Sequence, residues 1–226
     1  MTELFAAPPI LLVAGFIGLV GSVLLAQNSE YGGGAPAKTV PTAWLSASVV
    51  QACASIGHSL RGELPPLVVF SAVNAIQILA LALLWLGAGR MAGRSVPGWV
   101  ALLPPLVWLM ACLVPGFMET QQVRLSLYVP LAYGAAIWTV IDLFGIYRRH
   151  RVRAARDMAV LVGFVTLILL SIIALTIIFP RSPDGTQVLF TGVPALMTAL
   201  YGATLPFLML AVSREWDALE EGTRRY

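Results

Sequence analysis

Six polar side chains stand where they could do chemistry in a sequence that is otherwise strongly apolar: His58, Arg61, Glu63, Asn74, Gln77 and Asp142. The imidazole of His58 could take a ligand or respond to protons, with Gln51, Cys53, Ser55, Arg61 and Glu63 close by in sequence. A metal site wants three or more converging ligands. Cys53 and His58 are five residues apart, which does not set them squarely on one helix face, so a polar contact between helices is the preferred reading of His58. Asn74 and Gln77 are three apart and share a face. Amides inside a membrane helix usually bond to a neighbouring helix, though such a pair could also line a small-molecule pocket. Asp142 is a carboxylate well inside an apolar run, a placement that is costly and by default suggests function. It also lies about one and a half helical turns before Arg148 and Arg149, close enough to an end to snorkel or to pair with an arginine.

Catalytic constellations are missing. The sequence has no P-loop lysine motif, no G-x-S-x-G, no H-E-x-x-H and no C-x-x-C, so it is not expected to be an enzyme. Gly32-Gly33-Gly34 lacks the strand and helix that would make it a phosphate cradle and reads as a connection. Cys53 and Cys112 fall in apolar stretches and read as small core residues. No cofactor is identified.

The elements that must position these residues follow from composition. Of 226 residues, 58% are hydrophobic and 11% charged, and mean hydropathy is +0.84. Soluble domains carry about 25% charge, so too few charges are present to cover a soluble globule of this size, and lipid must be part of the solvent. Apolar runs occupy about 9–26, 43–60, 67–87, 99–114, 125–147, 158–179 and 193–212. Backbone groups in hydrocarbon must bond internally, and the runs are continuous rather than alternating, so helices are expected. The fold class is all-α: a polytopic bundle of about seven transmembrane helices. The run 43–60, with Ser46, Ser48, Gln51, Ser55 and His58, is the weakest. It is read as a span facing the bundle interior; were it to lie in the interface, the count would be six and the N-terminus would change sides. The first run has no basic residues before it and reads as a span rather than a removable signal.

Arginines set the orientation. Five fall within nine residues, Arg148, Arg149, Arg151, Arg153 and Arg156, and mark that connection as cytoplasmic. Arg90, Arg94, Arg214, Arg224 and Arg225 fall on the same side, while the opposite connections hold Arg61 with Glu63, Glu119 with Arg124, and Arg181 with Asp184. Seven spans then put the N-terminus outside and the C-terminus inside. Lys38, the single lysine, gives weak support for an inner 27–41 connection. The net charge of +3 comes from these clusters, a pattern of membrane orientation and not of nucleic-acid binding. From Arg214 onward the sequence turns charged and helix-favouring, so residues 1–213 are read as a transmembrane domain and 214–226 as a helix leaving the membrane.

The stretch from Trp44 to Pro97 carries a family likeness. His58-Ser59-Leu60-Arg61-Gly62-Glu63-Leu64-Pro65-Pro66 is followed by Val73-Asn74-Ala75 and then by Gly89-Arg90-Met91-Ala92-Gly93-Arg94. This resembles the N-terminal multi-helix membrane input region found ahead of GGDEF diguanylate cyclase domains in proteobacteria, with its L-R-G-x-L-P turn, A-N-A or G-N-A helix and G-x-R-R-F-x-G-R ending. The motifs cover about 50 residues, and layout alone carries the likeness further. There is no G-G-[DE]-E-F in the sequence, so no cyclase activity carries over. The resemblance implies a sensory module of the bacterial inner membrane, forming a homodimer, that signals through its C-terminal helix in response to an unidentified small molecule. The alternative is an accessory subunit packed against a partner membrane subunit, or a small-solute transporter, for which no clear inverted repeat is visible.

Overall fold

The computed structural model describes residues 7–30, 35–60, 63–178 and 193–224. All regular structure among them is helical: α1 (Ala7–Glu30), α2 (Ala35–Ser59), α3 (Pro66–Val68), α4 (Asn74–Met91), α5 (Leu103–Cys112), α6 (Gln121–His150), α7 (Arg153–Ile178) and α8 (Val193–Arg224). A π-helical turn, Val69–Val73, joins α3 to α4, and a 3-10 helix, Gly98–Leu102, leads into α5.

Five stretches are long and apolar enough to cross a membrane: Pro9–Gln27, Val69–Met91, Gln121–His150, Arg153–Leu175 and Ala195–Gly222. Their outward faces are bare hydrocarbon, as with Phe16, Val20, Trp138, Phe164 and Leu167, each more than half exposed. Such side chains would be buried in a soluble protein; here lipid covers them, and the chain is a multi-pass helical membrane protein. The other two expected spans differ for separate reasons. α2 is long but polar on one face. The Gly98–Cys112 helix is apolar but short, although its 3-10 start raises its length to roughly 25 Å. Pro104 and Pro105 begin α5 rather than kink it; a missing N–H costs nothing in a first turn.

Helices α2, α4, α6, α7 and α8 close a ring, each packed on the next and α8 back on α2. α1 lies in the outer groove between α2 and α8, and α5 leans on α4 and α6. Glycine lets α1 approach. A Cβ on Gly15 would stand 2.6 Å from Ile56 of α2, one on Gly18 would stand 3.3 Å from the Gly202 carbonyl of α8, and one on Gly21 would stand 2.6 Å from Pro206. Small residues at a membrane helix interface let the backbones approach closely in this way. Between α2 and α4 the same device is larger: the fully buried Trp44 indole lies against Gly87, where a Cβ would come within 2.3 Å of the ring, and its N–H donates to the Leu84 carbonyl at 3.3 Å.

The π turn is stabilised from α5. Its wider winding frees carbonyls from the usual ladder, and the Trp108 indole N–H is shared between those of Phe70 and Ser71, 3.1 Å from each. Trp108 in turn meets Phe117 and Tyr128 edge-on, with centroids 5.6 and 5.5 Å away.

The arginine-rich connection is tighter than its sequence suggests. α6 runs through Arg148 and Arg149 to His150, and α7 begins at Arg153. The turn is made by Arg151 in the left-handed region, φ 59°, with its N–H bonded to the Tyr147 carbonyl at 2.9 Å. Cations at the end of α6 suit its dipole, whereas those starting α7 oppose it; there the Glu215 carboxylate accepts from the Ala154 N–H at 3.0 Å. Cys53, expected in the core, is exposed on the outer face of α2, and Cys112 is half-buried; neither stretch is buried on all sides.

Candidate functional site

Of the polar residues that weakened the second run, Ser48, Gln51 and Ser55 share one face of α2 and point inward, while Ser46 is exposed. Ser48, Gln51 and Ser55 are each at most 2% exposed. Ser48 bonds to Ser22 of α1, oxygen to oxygen 2.8 Å. Gln51 and Gln77 make a reciprocal amide pair: Gln77 Nε2 donates to Gln51 Oε1 at 2.7 Å, and Gln51 Nε2 donates to Gln77 Oε1 at 3.3 Å. The expected amide contact between helices is therefore present at Gln77. Asn74, three residues earlier, is half-buried at the end of the π turn and does not line the cavity described next.

One helical turn further along α2 the ring encloses a partly open cavity of about 80 Å³. α2 contributes His58, and α4 contributes Gln77 and Leu81. α6 supplies Tyr128, Tyr133 and Ala136; α7 supplies Val165, Thr166 and Leu169; α8 supplies Thr198 and Tyr201. All five helices of the ring thus meet at one place, the usual location of a ligand site in a bundle. The wall is a band of hydroxyls on an apolar lining, without a carboxylate, lysine or arginine. Tyr128 and Tyr133 stack edge-on at 6.1 Å. Tyr201 is 5% exposed, and its hydroxyl is buried with no hydrogen-bond partner. The neighbouring Ser55 hydroxyl, 3.5 Å from where a Cβ of Gly202 would lie, is likewise unpartnered.

Of the six residues singled out by sequence, the structure brings His58 and Gln77 together at this cavity. Glu63 is exposed and outside it, and Arg61 lies outside the described residues. Asp142 sits at the other end of the bundle, where its carboxylate pairs not with Arg148 or Arg149 but with Arg94. The chain turns there by a Schellman ending of α4: Gly93, φ 86°, allows Gly93 N–H to reach the Arg90 carbonyl at 3.0 Å and Arg94 N–H the Gly89 carbonyl at 2.9 Å. Gly89 then leaves room for the guanidinium to fold back, passing 5.5 Å from the Trp85 ring on its way to Asp142. Gly89 and Gly93 are thus both explained by the path of Arg94.

The three tyrosines and two threonines of the cavity were not anticipated. Tyr reads most readily as an interface residue, and only the relative rotation of α6, α7 and α8 turns these inward. Among the described residues no three His, Cys, Asp or Glu side chains are grouped to hold a metal ion. No protein-family model, curated protein or solved structure matches the chain.

Proposed function

We propose that this chain is a membrane-embedded sensory module that relays the state of its interior cavity, through α8, to a cytoplasmic output domain of the diguanylate cyclase type. The observation that carries this reading is the continuity of α8. Thr198 and Tyr201 line the cavity, and the same unbroken helix continues to Arg224, roughly 35 Å beyond Tyr201 at 1.5 Å per residue. A change in packing around Tyr201 has a continuous helical path, with Pro206 inside it, to the charged segment.

In this reading α1, α2, α4, α5, α6, α7 and α8 cross a bacterial inner membrane, making seven spans. The cytoplasmic end is the one at which arginines gather. Arg94 is tied to α6 there through Asp142, the exit segment meets the α6–α7 turn through Glu215, and His150 contacts Trp216 with ring centroids 4.9 Å apart. A dimer would bring two exit helices, and so two output domains, side by side.

The test places the chain ahead of a diguanylate cyclase domain in cells and measures cyclic-di-GMP. Substitutions at the cavity wall, Thr198→Val and Tyr201→Phe, should change output at constant protein level. Unchanged output from both would remove the support for relay through α8.

A further inference from the structure

We propose that the cavity binds a small uncharged group carrying hydroxyl or carbonyl oxygens, of the size of glycerol, and that the Tyr201 hydroxyl donates to it. This deepens the sensory reading by naming the ligand class and rests on the cavity being that module's site.

Charge selects the class first. No lining residue is Asp, Glu, Lys or Arg, so a cation in such a site would lose its hydration with no counter-charge in return, and His58, the one lining side chain able to take up a proton, makes the acetate control the test for an anion. Size selects next. An engineered apolar cavity of about 150 Å³ takes benzene, so about 80 Å³ suits a fragment of a few heavy atoms and not an aromatic ring. Donor and acceptor balance then fixes the polarity. Gln77 already spends its amide on Gln51. What remains is hydroxyl-rich, and the Tyr201 hydroxyl, buried and unpaired, lacks an acceptor. A buried donor without a partner is costly, and a ligand oxygen would relieve it. Such a group could arrive as a free polyol or as the glyceryl end of a neutral lipid.

Full-length protein in nanodiscs, with tyrosines labelled at the ring carbon that bears the hydroxyl, separates the cases by NMR. Glycerol and monoolein are titrated in parallel, with acetate and ethylammonium as charged controls. The Tyr201 resonance, assigned by its loss in Tyr201→Phe, should shift saturably. A response to glycerol identifies a free solute, and a response to monoolein alone identifies a lipid. In Tyr201→Phe the affinity read at Tyr133 should fall about tenfold, the worth of one hydrogen bond of about 1.4 kcal/mol. Should that variant not assemble, Val165→Phe, which fills the cavity instead, must abolish the shift. A strictly linear response to both neutral probes, a charged control binding as tightly, or an unchanged affinity in Tyr201→Phe overturns the proposal. Binding is read without any output domain, so failure to bind is distinct from failure to signal.

Discussion

Removing Arg94 should harm the fold more than removing its partner, and removing both should harm it no more than removing the partner alone. Asp142 presents 9% of its side chain and Arg94 36%. Arg94→Leu strands a carboxylate in the interior between α4 and α6; breaking a buried pair from one side costs about 3–5 kcal/mol. Asp142→Leu leaves a guanidinium that is one-third exposed, already beside Trp85 at 5.5 Å, and long enough to reach the headgroup region, so its cost is about 1–2 kcal/mol. The double substitution strands neither charge and should cost about 1–2 kcal/mol. The cycle then yields a coupling of about 3–5 kcal/mol, at or above the top of the range for contacting residues. SDS titration of the protein in mixed micelles, followed by tryptophan fluorescence, measures all four species. Equal losses for the two single variants, or simple additivity, would refute the view that the exposure difference governs the pair.

Three further outcomes follow from the packing. Gln77→Leu should destabilise by about 1–3 kcal/mol by stranding Gln51, while Gln51→Leu with Gln77→Leu should recover most of that loss in the same titration, since interhelical bonds in membranes average about 0.6 kcal/mol. Gly21→Val should cost about 1–3 kcal/mol by forcing α1 off Pro206, and a cysteine pair engineered between α1 and α8 should crosslink more slowly in that variant. Glu215→Gln keeps an acceptor for Ala154 but removes the charge at the start of α7, so it should cost about 0.3–1 kcal/mol, with faster amide exchange at residues 153–155 as the local readout.

How much of this was legible depends on the range of the physics. Hydrocarbon runs of about 20 residues are set by composition alone, so the long helices near 9–26, 125–147 and 158–179 could be placed from sequence. The inward facing of α2 was legible too, because its polar residues are mostly small ones, which close packing of membrane helices tolerates. The tight α6–α7 turn was not: it needs a left-handed residue, glycine usually marks one, and here Arg151 occupies it without any sequence sign. The π turn at Val69–Val73 has no sequence period of its own and is supported by an indole 37 residues onward. Asp142 was read as snorkelling or pairing with an arginine, and nearness in sequence pointed to Arg148 and Arg149. The winner, 48 residues away, became adjacent only because Gly93 ends α4 with a reversal.

The two ends of the bundle divide the mechanical work differently. At the arginine-rich end α4 is clamped to α6 by an ion pair, and α8 is held to the α6–α7 turn by Glu215 and Trp216. At the other end α2, α4, α6, α7 and α8 meet around free volume and an unpaired hydroxyl. A ligand can shift a packing equilibrium only by its differential affinity for the alternatives, and close-packed interiors move between discrete arrangements rather than deform smoothly. The cavity is where a second arrangement would meet least resistance, because filling it gains contacts and pairs Tyr201. The clamped end would resist independent movement of α4 and α6, and Glu215 on Ala154 is the contact that a response of α8 would have to break or remake.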